Sequence, residues 1–295
     1  MKSWKIGAIS GLIAGIVGGI VYSFFTQIAA SFELYRPDWR LIIASSVEAN
    51  ILLPTLWWII FGIIFSKVYD VIPVKGILKG FFFALVLYLF TTIRATSFNL
   101  SYRYYEFVAG PLFCDTPLYI TSGLVLGIAY ELLHNRYYPS KKVSKIKQYD
   151  MISGFYPGAI AGLIGGTVAS IVAILGPVFG IWGYDVPVKL SFDLWWGQAG
   201  THIFLNMVWG IIFGMIYPKV YNLVPSRGAL KGAIYSLIIW MVAGFAYNSL
   251  IMGWAISSSE WALFANIILW GGIVGFFQAF AFGLALGAIY RKPIK

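Results

Sequence analysis

Charge is the scarcest property of this chain. Only 11% of its 295 residues are Asp, Glu, Lys or Arg, where an ordinary soluble domain carries about 25%. With 60% hydrophobic residues, no soluble core of this length can hide so much apolar surface, so the expected solvent is lipid. Cysteine is nearly missing: Cys114 is the only one, which excludes an intrachain disulfide and any thiolate cluster. His134 and His202 are the only histidines, and one histidine at membrane depth makes no zinc or haem site without partners the sequence does not offer. HExxH, GxSxG, CxxC and GxxxxGK[ST] are all lacking, so neither an enzyme nor a cofactor is expected.

What the chain has is long uncharged runs: Ile6 to Phe32, Met151 to Tyr184, Gly232 to Ser259 and Trp261 to Tyr290. Each exceeds the roughly 20 residues that cross about 30 Å of hydrocarbon. The first run follows "MKSWK" but is too long for the apolar region of a signal peptide, and its pattern recurs later, so a retained helix is expected.

The chain also repeats itself. "IIFGIIFSKVYDVIPVKGILKG" (Ile59 to Gly80) and "IIFGMIYPKVYNLVPSRGALKG" (Ile211 to Gly232) agree at 13 of 22 positions, 152 residues apart. "GAISGLIAGIVGGIV" (Gly7 to Val21) matches "GAIAGLIGGTVASIV" (Gly158 to Val172) at an offset of 151. "GLVLGIAY" (Gly123 to Tyr130) matches "GLALGAIY" (Gly283 to Tyr290) at 160, which puts the extra residues before the last helix of the second unit. Two duplicated units follow, residues 1–133 and 154–295, joined by a basic cytoplasmic linker over 134–153.

Four spans are expected per unit: roughly 6–29, 48–67, 77–97 and 115–133, then roughly 154–180, 197–217, 229–250 and 262–290. An even count makes both units enter the membrane in the same direction, unlike the inverted repeats of many secondary transporters. With the N-terminus in the cytoplasm, the inner segments hold 16 Lys and Arg and the outer ones 5, the bias of the positive-inside rule. Acids run the other way, 3 inside and 8 outside, leaving about +13 facing in and about −3 facing out. The net charge of +10 therefore follows alternate loops and forms no groove-sized patch, so it argues for anionic lipid and against nucleic acid.

Lipid gives helices no hydrophobic reason to associate, so close packing must do it. Gly7, Gly11 and Gly15, and likewise Gly154, Gly158 and Gly162, recur every four residues and form one stripe on the first helix of each unit. Gly210 with Gly214, Gly123 with Gly127 and Gly283 with Gly287 extend this GxxxG pattern. "LYRPDW", "SYRYYEF", "IWGY" and "HNRYY" read as interfacial anchors.

Candidate site residues fall in three groups. On the second helix of the second unit, Gln198, His202 and Asn206 lie at i, i+4 and i+8; the first unit has Ser46, Asn50 and Pro54 there. Polar side chains at membrane depth need partners or water, so this stripe either hydrogen-bonds the two units together or lines a polar pathway between them, with His202 a candidate proton relay. Glu48, Arg94 and Asp115, with Glu106 nearby, cluster toward the outer third of the first unit. They read as interfacial anchors, with Asp115 the N-cap of a fourth helix ahead of Pro117, or as an outer vestibule where Glu48 and Asp115 draw a cation and Arg94 balances charge. The third group, Lys75, Lys79, Arg227 and Lys231, sits in "KVY[DN]xxPx[KR]GxLKG", either a topogenic turn or a contact for anionic lipid headgroups.

The "PxKGxLKG" turn and the Gly-laddered first helices resemble those of uncharacterised short polytopic membrane proteins of prokaryotes, archaeal ones especially. The resemblance covers the repeat cores and not the outer loops, and it implies no activity and no site residue. The expected protein is all-α and integral to the cell membrane, with eight transmembrane helices in two tandem parallel four-helix repeats and both termini cytoplasmic. A transporter or channel for a small solute or ion through the inter-repeat interface is the first functional expectation; a non-catalytic subunit or scaffold of a larger membrane complex is the second. Expected partners are membrane lipids, anionic on the cytoplasmic face, and either a second copy of the chain or a larger membrane complex.

Overall fold

The computed structural model describes residues 2–34, 47–101, 108–138, 150–178, 188–242 and 261–290. Ser46 and Glu106 lie outside them. The described residues are all helical or connecting, with no strand. Among the described residues there are eight principal helices, counting the third span as one, and seven are long and apolar enough to cross a membrane. The remaining one, Gly228–Trp240, has 13 residues, about 20 Å of helix, and the rest of its expected span lies outside the described residues.

The described residues divide into two compact units, 2–138 and 150–290. In the first, α1 (Ser3–Ser31) and α2 (Val47–Val68) pack antiparallel. A 3-10 turn at Tyr69–Val71 and a bend at Pro73 end α2. The third span starts as α3 (Leu78–Tyr88), widens into π-helix over Leu89–Ile93, and continues as α4 (Arg94–Ser101). Helix α5 (Ala109–Tyr137) packs on both α1 and α3. In the second unit, α6 (Phe155–Val178) packs on α7 (Val188–Val220) and on α9 (Trp261–Ile289), and α8 (Gly228–Trp240) packs on α9.

Glycine sets how closely these helices approach. A Cβ added at Gly7 would strike the carbonyl of Gly62, and one at Gly11 the carbonyl of Trp58. In the second unit Gly154, Gly158 and Gly162 meet the carbonyls of Gly214, Gly210 and Asn206 in the same way. Gly80 lies against Gly123 and Gly127, and Gly232 against Gly283 and Gly287. Large side chains such as Phe24, Leu52, Leu132 and Phe204 are exposed on the outside, where lipid satisfies them.

Ala in place of Gly11 should lower stability by about 1–3 kcal/mol, because backbone has to move. Gly200 has nothing within 4 Å of an added Cβ, so Gly200→Ala should be neutral or stabilising by up to about 1 kcal/mol. Denaturant titration of the two variants in mild detergent checks the contrast, and equal losses would remove the backbone-contact account.

Candidate functional site

The polar residues of the first unit gather at one level, set by the helix pairing. Gly7 meets Gly62 while Gly19 meets Ile51, so α1 and α2 run opposite ways with Thr26 beside Asn50. Asn50 is fully buried, and its Nδ2 donates to Thr26 Oγ1 at 3.2 Å. The Thr26 hydroxyl in turn donates to the Ser23 carbonyl at 2.7 Å. The rings of Phe25 and Phe113 meet at a tilt with centroids 5.4 Å apart, which brings Asp115 of α5 close to this same level.

Asp115 is 3% exposed. Helix α5 begins at Ala109, so Asp115 is its seventh residue and not its N-cap, and Pro117 is interior. This corrects the N-cap expectation. At 29 residues, α5 is about 43 Å long and is long and apolar enough to cross a membrane, with Asp115 about 9 Å along it from Ala109. Its Oδ2 accepts a 2.6 Å hydrogen bond from the Thr92 hydroxyl, and among the described residues no other hydrogen bond and no ion pair reaches the carboxylate.

Thr92 belongs to the π-helical stretch Leu89–Ile93. A π-turn inserts one extra residue and rotates the positions that follow. Both adjacent hydroxyls thereby meet α5: Thr92 bonds Asp115, and Thr91 Oγ1 is hydrogen-bonded at 2.8 Å to the Tyr119 hydroxyl, one turn further along. Tyr88, just before the π-turn, completes the seam with a 2.7 Å hydroxyl–hydroxyl bond to Thr116. An aromatic layer lies beneath, with Tyr119 5.9 Å from Trp58 and 5.5 Å from Tyr88 between ring centroids. Pro117 has no N–H for the carbonyl of Phe113, two residues before Asp115.

Of the expected vestibule, Asp115 is thus buried, Arg94 half-buried directly after the π-turn, and Glu48 exposed in the first turn of α2. The three do not form ion pairs with one another. Thr91, Thr92, Thr26 and Tyr119 were not singled out by sequence reasoning; the only signal was a pair of threonines two residues before an arginine in an apolar span.

The stripe on α7 turns into its own unit. Asn206 is buried, its Nδ2 donates to the His202 carbonyl at 2.9 Å, and its Oδ1 accepts from Nε2 of Gln278 on α9. Gln278 was also missed, although it is one of only two amides, with Asn266, in an apolar helix. His202 and Gln198 are half-buried. Asn50 likewise bonds within its unit, so both asparagines join the second helix to another helix of the same four.

The basic turn residues separate into two kinds. Lys75 and Arg227 are exposed beside Gly76 and Gly228, whose φ of +59° and +51° are left-handed values that suit glycine. Lys79 and Lys231 fold back instead. Each Nζ donates at 2.8 Å to the main-chain carbonyl of the tyrosine that follows the second helix, Tyr69 or Tyr221, and lies over that tyrosine's ring at 3.7 and 4.2 Å. In the first unit the Tyr69 hydroxyl also donates to Glu131, and His134 stacks on Tyr69 and Tyr130. Among the described residues no three of His, Cys, Asp and Glu gather as metal ligands would.

Comparison of the chain with protein families, curated proteins and solved structures yields no match.

Lys231→Met should remove a charge-assisted hydrogen bond and a cation–π contact and cost about 2 kcal/mol of stability. Lys75→Met should change stability by less than about 0.5 kcal/mol. Denaturant midpoints in micelles check this; equal effects would mean that the clasp contributes nothing.

Proposed function

We propose that the protein moves a small ion or solute across the membrane, and that the layer of Asp115, Thr92, Thr91 and Tyr119 in the first unit is where it is held. The observation that carries this reading is Asp115, a buried carboxylate in a helix long and apolar enough to span the membrane, with a single hydroxyl as its hydrogen-bond partner. Such a group is costly to keep, and intramembrane ionisable residues mark ion and proton paths. The π-turn beside it adds to the argument, because helix irregularity at membrane depth is tolerated where backbone and side chains line a site.

The topology proposed with it is eight spans in two tandem parallel four-helix repeats, with both termini cytoplasmic. Within the first unit, Lys2, Lys5, Lys67, Lys75, Lys79 and Arg136 share one end of the bundle, the end the positive-inside rule assigns to the cytoplasm. The matching clasps at Lys79 and Lys231, and the glycine contacts of α1 and α6, support a common plan for the two units. Exposed Lys75 and Arg227 are then the residues left to meet anionic headgroups.

Two measurements test these statements. The native Cys114 is buried, so a cysteine introduced at Glu33 should react with a membrane-impermeant maleimide in intact cells. One introduced at Ser226 should react only after the membrane is opened, and the reverse result would overturn the orientation or the even span count. In reconstituted vesicles, the wild type should carry sodium, potassium or proton current above protein-free vesicles, and Asp115→Asn should cut it about tenfold or more. Asn206→Leu separates a path through the second unit from one through the first. Vesicles that conduct none of the three ions would remove the transport reading.

A further inference from the structure

We infer that Asp115 and Thr92 form a binding site for a hard monovalent cation of the sodium class, which specifies the ion in the transport reading above and rests on it. The donors are oxygen atoms only: the Asp115 carboxylate, the hydroxyls of Thr92 and Thr91, and the Tyr119 hydroxyl hydrogen-bonded to Thr91. The two threonine oxygens are 3.5 Å apart, so a chain of hydroxyls runs from the carboxylate through Thr92 and Thr91 to Tyr119. Hydroxyl and carboxylate oxygens suit hard cations, whereas softer metals call for several imidazole or thiolate ligands together, and among the described residues no three of His, Cys, Asp and Glu gather. One carboxylate neutralises one positive charge; a divalent ion here would leave net charge in the apolar slab.

Asp115 is 3% exposed, and its one hydrogen bond among the described residues comes from the Thr92 hydroxyl. Bound sodium would cancel the charge of that carboxylate. The Thr92 hydroxyl would then turn its proton away and present a lone pair, with the wide π-turn leaving it free to do so.

The second unit supplies an internal control for a purely structural role. At the offset of 160 that aligns the last helices, Asp115 corresponds to Gly275, and at 152 the threonine pair corresponds to Ala243 and Gly244. Gly275 is filled by packing: a Cβ there would meet the indole of Trp240 at 2.6 Å, and Trp240 corresponds to Tyr88. The four-helix plan therefore closes at this level with an aromatic ring against a glycine. The carboxylate and its hydroxyls are surplus to that need, and they are confined to the first unit.

The test is equilibrium dialysis of the full-length protein in detergent against radioactive sodium, with choline holding ionic strength constant. Alongside it, the thermal midpoint is followed as sodium replaces choline. The wild type should bind close to one sodium per chain and be stabilised by sodium over choline at fixed pH. Asp115→Asn should lose both effects. Thr92→Val, which keeps shape and removes the hydroxyl, should weaken sodium binding about tenfold and covers the case in which Asp115→Asn fails to fold. Absence of sodium binding in the wild type, or binding unchanged in Thr92→Val, overturns the site; so does stabilisation by lowered pH alone with no sodium dependence. Sodium binding without vesicle current would keep the site and remove transport, whereas current indifferent to sodium would keep transport and remove the site.

Discussion

The contact of helix backbone with helix backbone at glycine is the constraint from which the rest of each unit follows. In lipid, apolar side chains gain nothing by leaving solvent, so a helix pair is held by dispersion and by hydrogen bonds that need short range. Gly7, Gly11 and Gly62 in the first unit, and Gly158, Gly210 and Gly214 in the second, let carbonyl oxygens approach Cα atoms of the partner helix, a contact that Cα–H donors make weakly favourable. Because a shift of α2 by one residue would set Phe61 or Ile63 where Gly62 now meets Gly7 and Gly11, these contacts also fix register. Register in turn decides that Thr26 faces Asn50, and that Phe25 meets Phe113 at the level of Asp115.

The turns carry a second constraint. The last carbonyls of a helix have no intrahelical donor, and near the membrane interface that deficit costs more than in water. Lys79 and Lys231 meet it from the first turn of the next helix, and the tyrosine ring beneath each ammonium partly replaces the water it has lost. One motif thus serves two surfaces: Lys75 and Arg227 look outward, and the second lysine locks the turn.

The helices themselves were legible in the sequence because long uncharged runs and four-residue glycine spacing report directly on lipid burial and helix faces. The clasp was not, since a lysine near a turn looks the same whether it reaches water or a carbonyl ten residues earlier. Asp115 shows a different failure. Asp before Thr-Pro is a sound N-cap signal in water, where a helix can start anywhere that solvent will satisfy its free N–H groups. In lipid those groups must stay inside a helix, so α5 runs back through "AGPLFC" to Ala109 and the cap signal is overridden. Thr91 and Thr92 were hidden because threonine sits quietly in membrane helices by bonding its own preceding turn, as Thr91 also does to the Leu87 carbonyl. Only the π-turn, which no composition rule announces, turned the pair toward α5.

The two units differ at the level of Asp115. A four-helix plan needs its helices close and its turns locked, and both units meet those needs with nearly the same residues. It does not need an ionisable group at the Asp115 level, as Gly275 against Trp240 demonstrates. A buried carboxylate short of partners is destabilising by several kcal/mol when charged, and random substitution tends to remove such groups unless something offsets the cost. Neither the glycine contacts nor the lysine clasp supplies that offset, since both lie at other levels of the bundle. Under the transport proposal that offset is the ion bound at Asp115, on the layer that the second unit closes with Trp240 against Gly275.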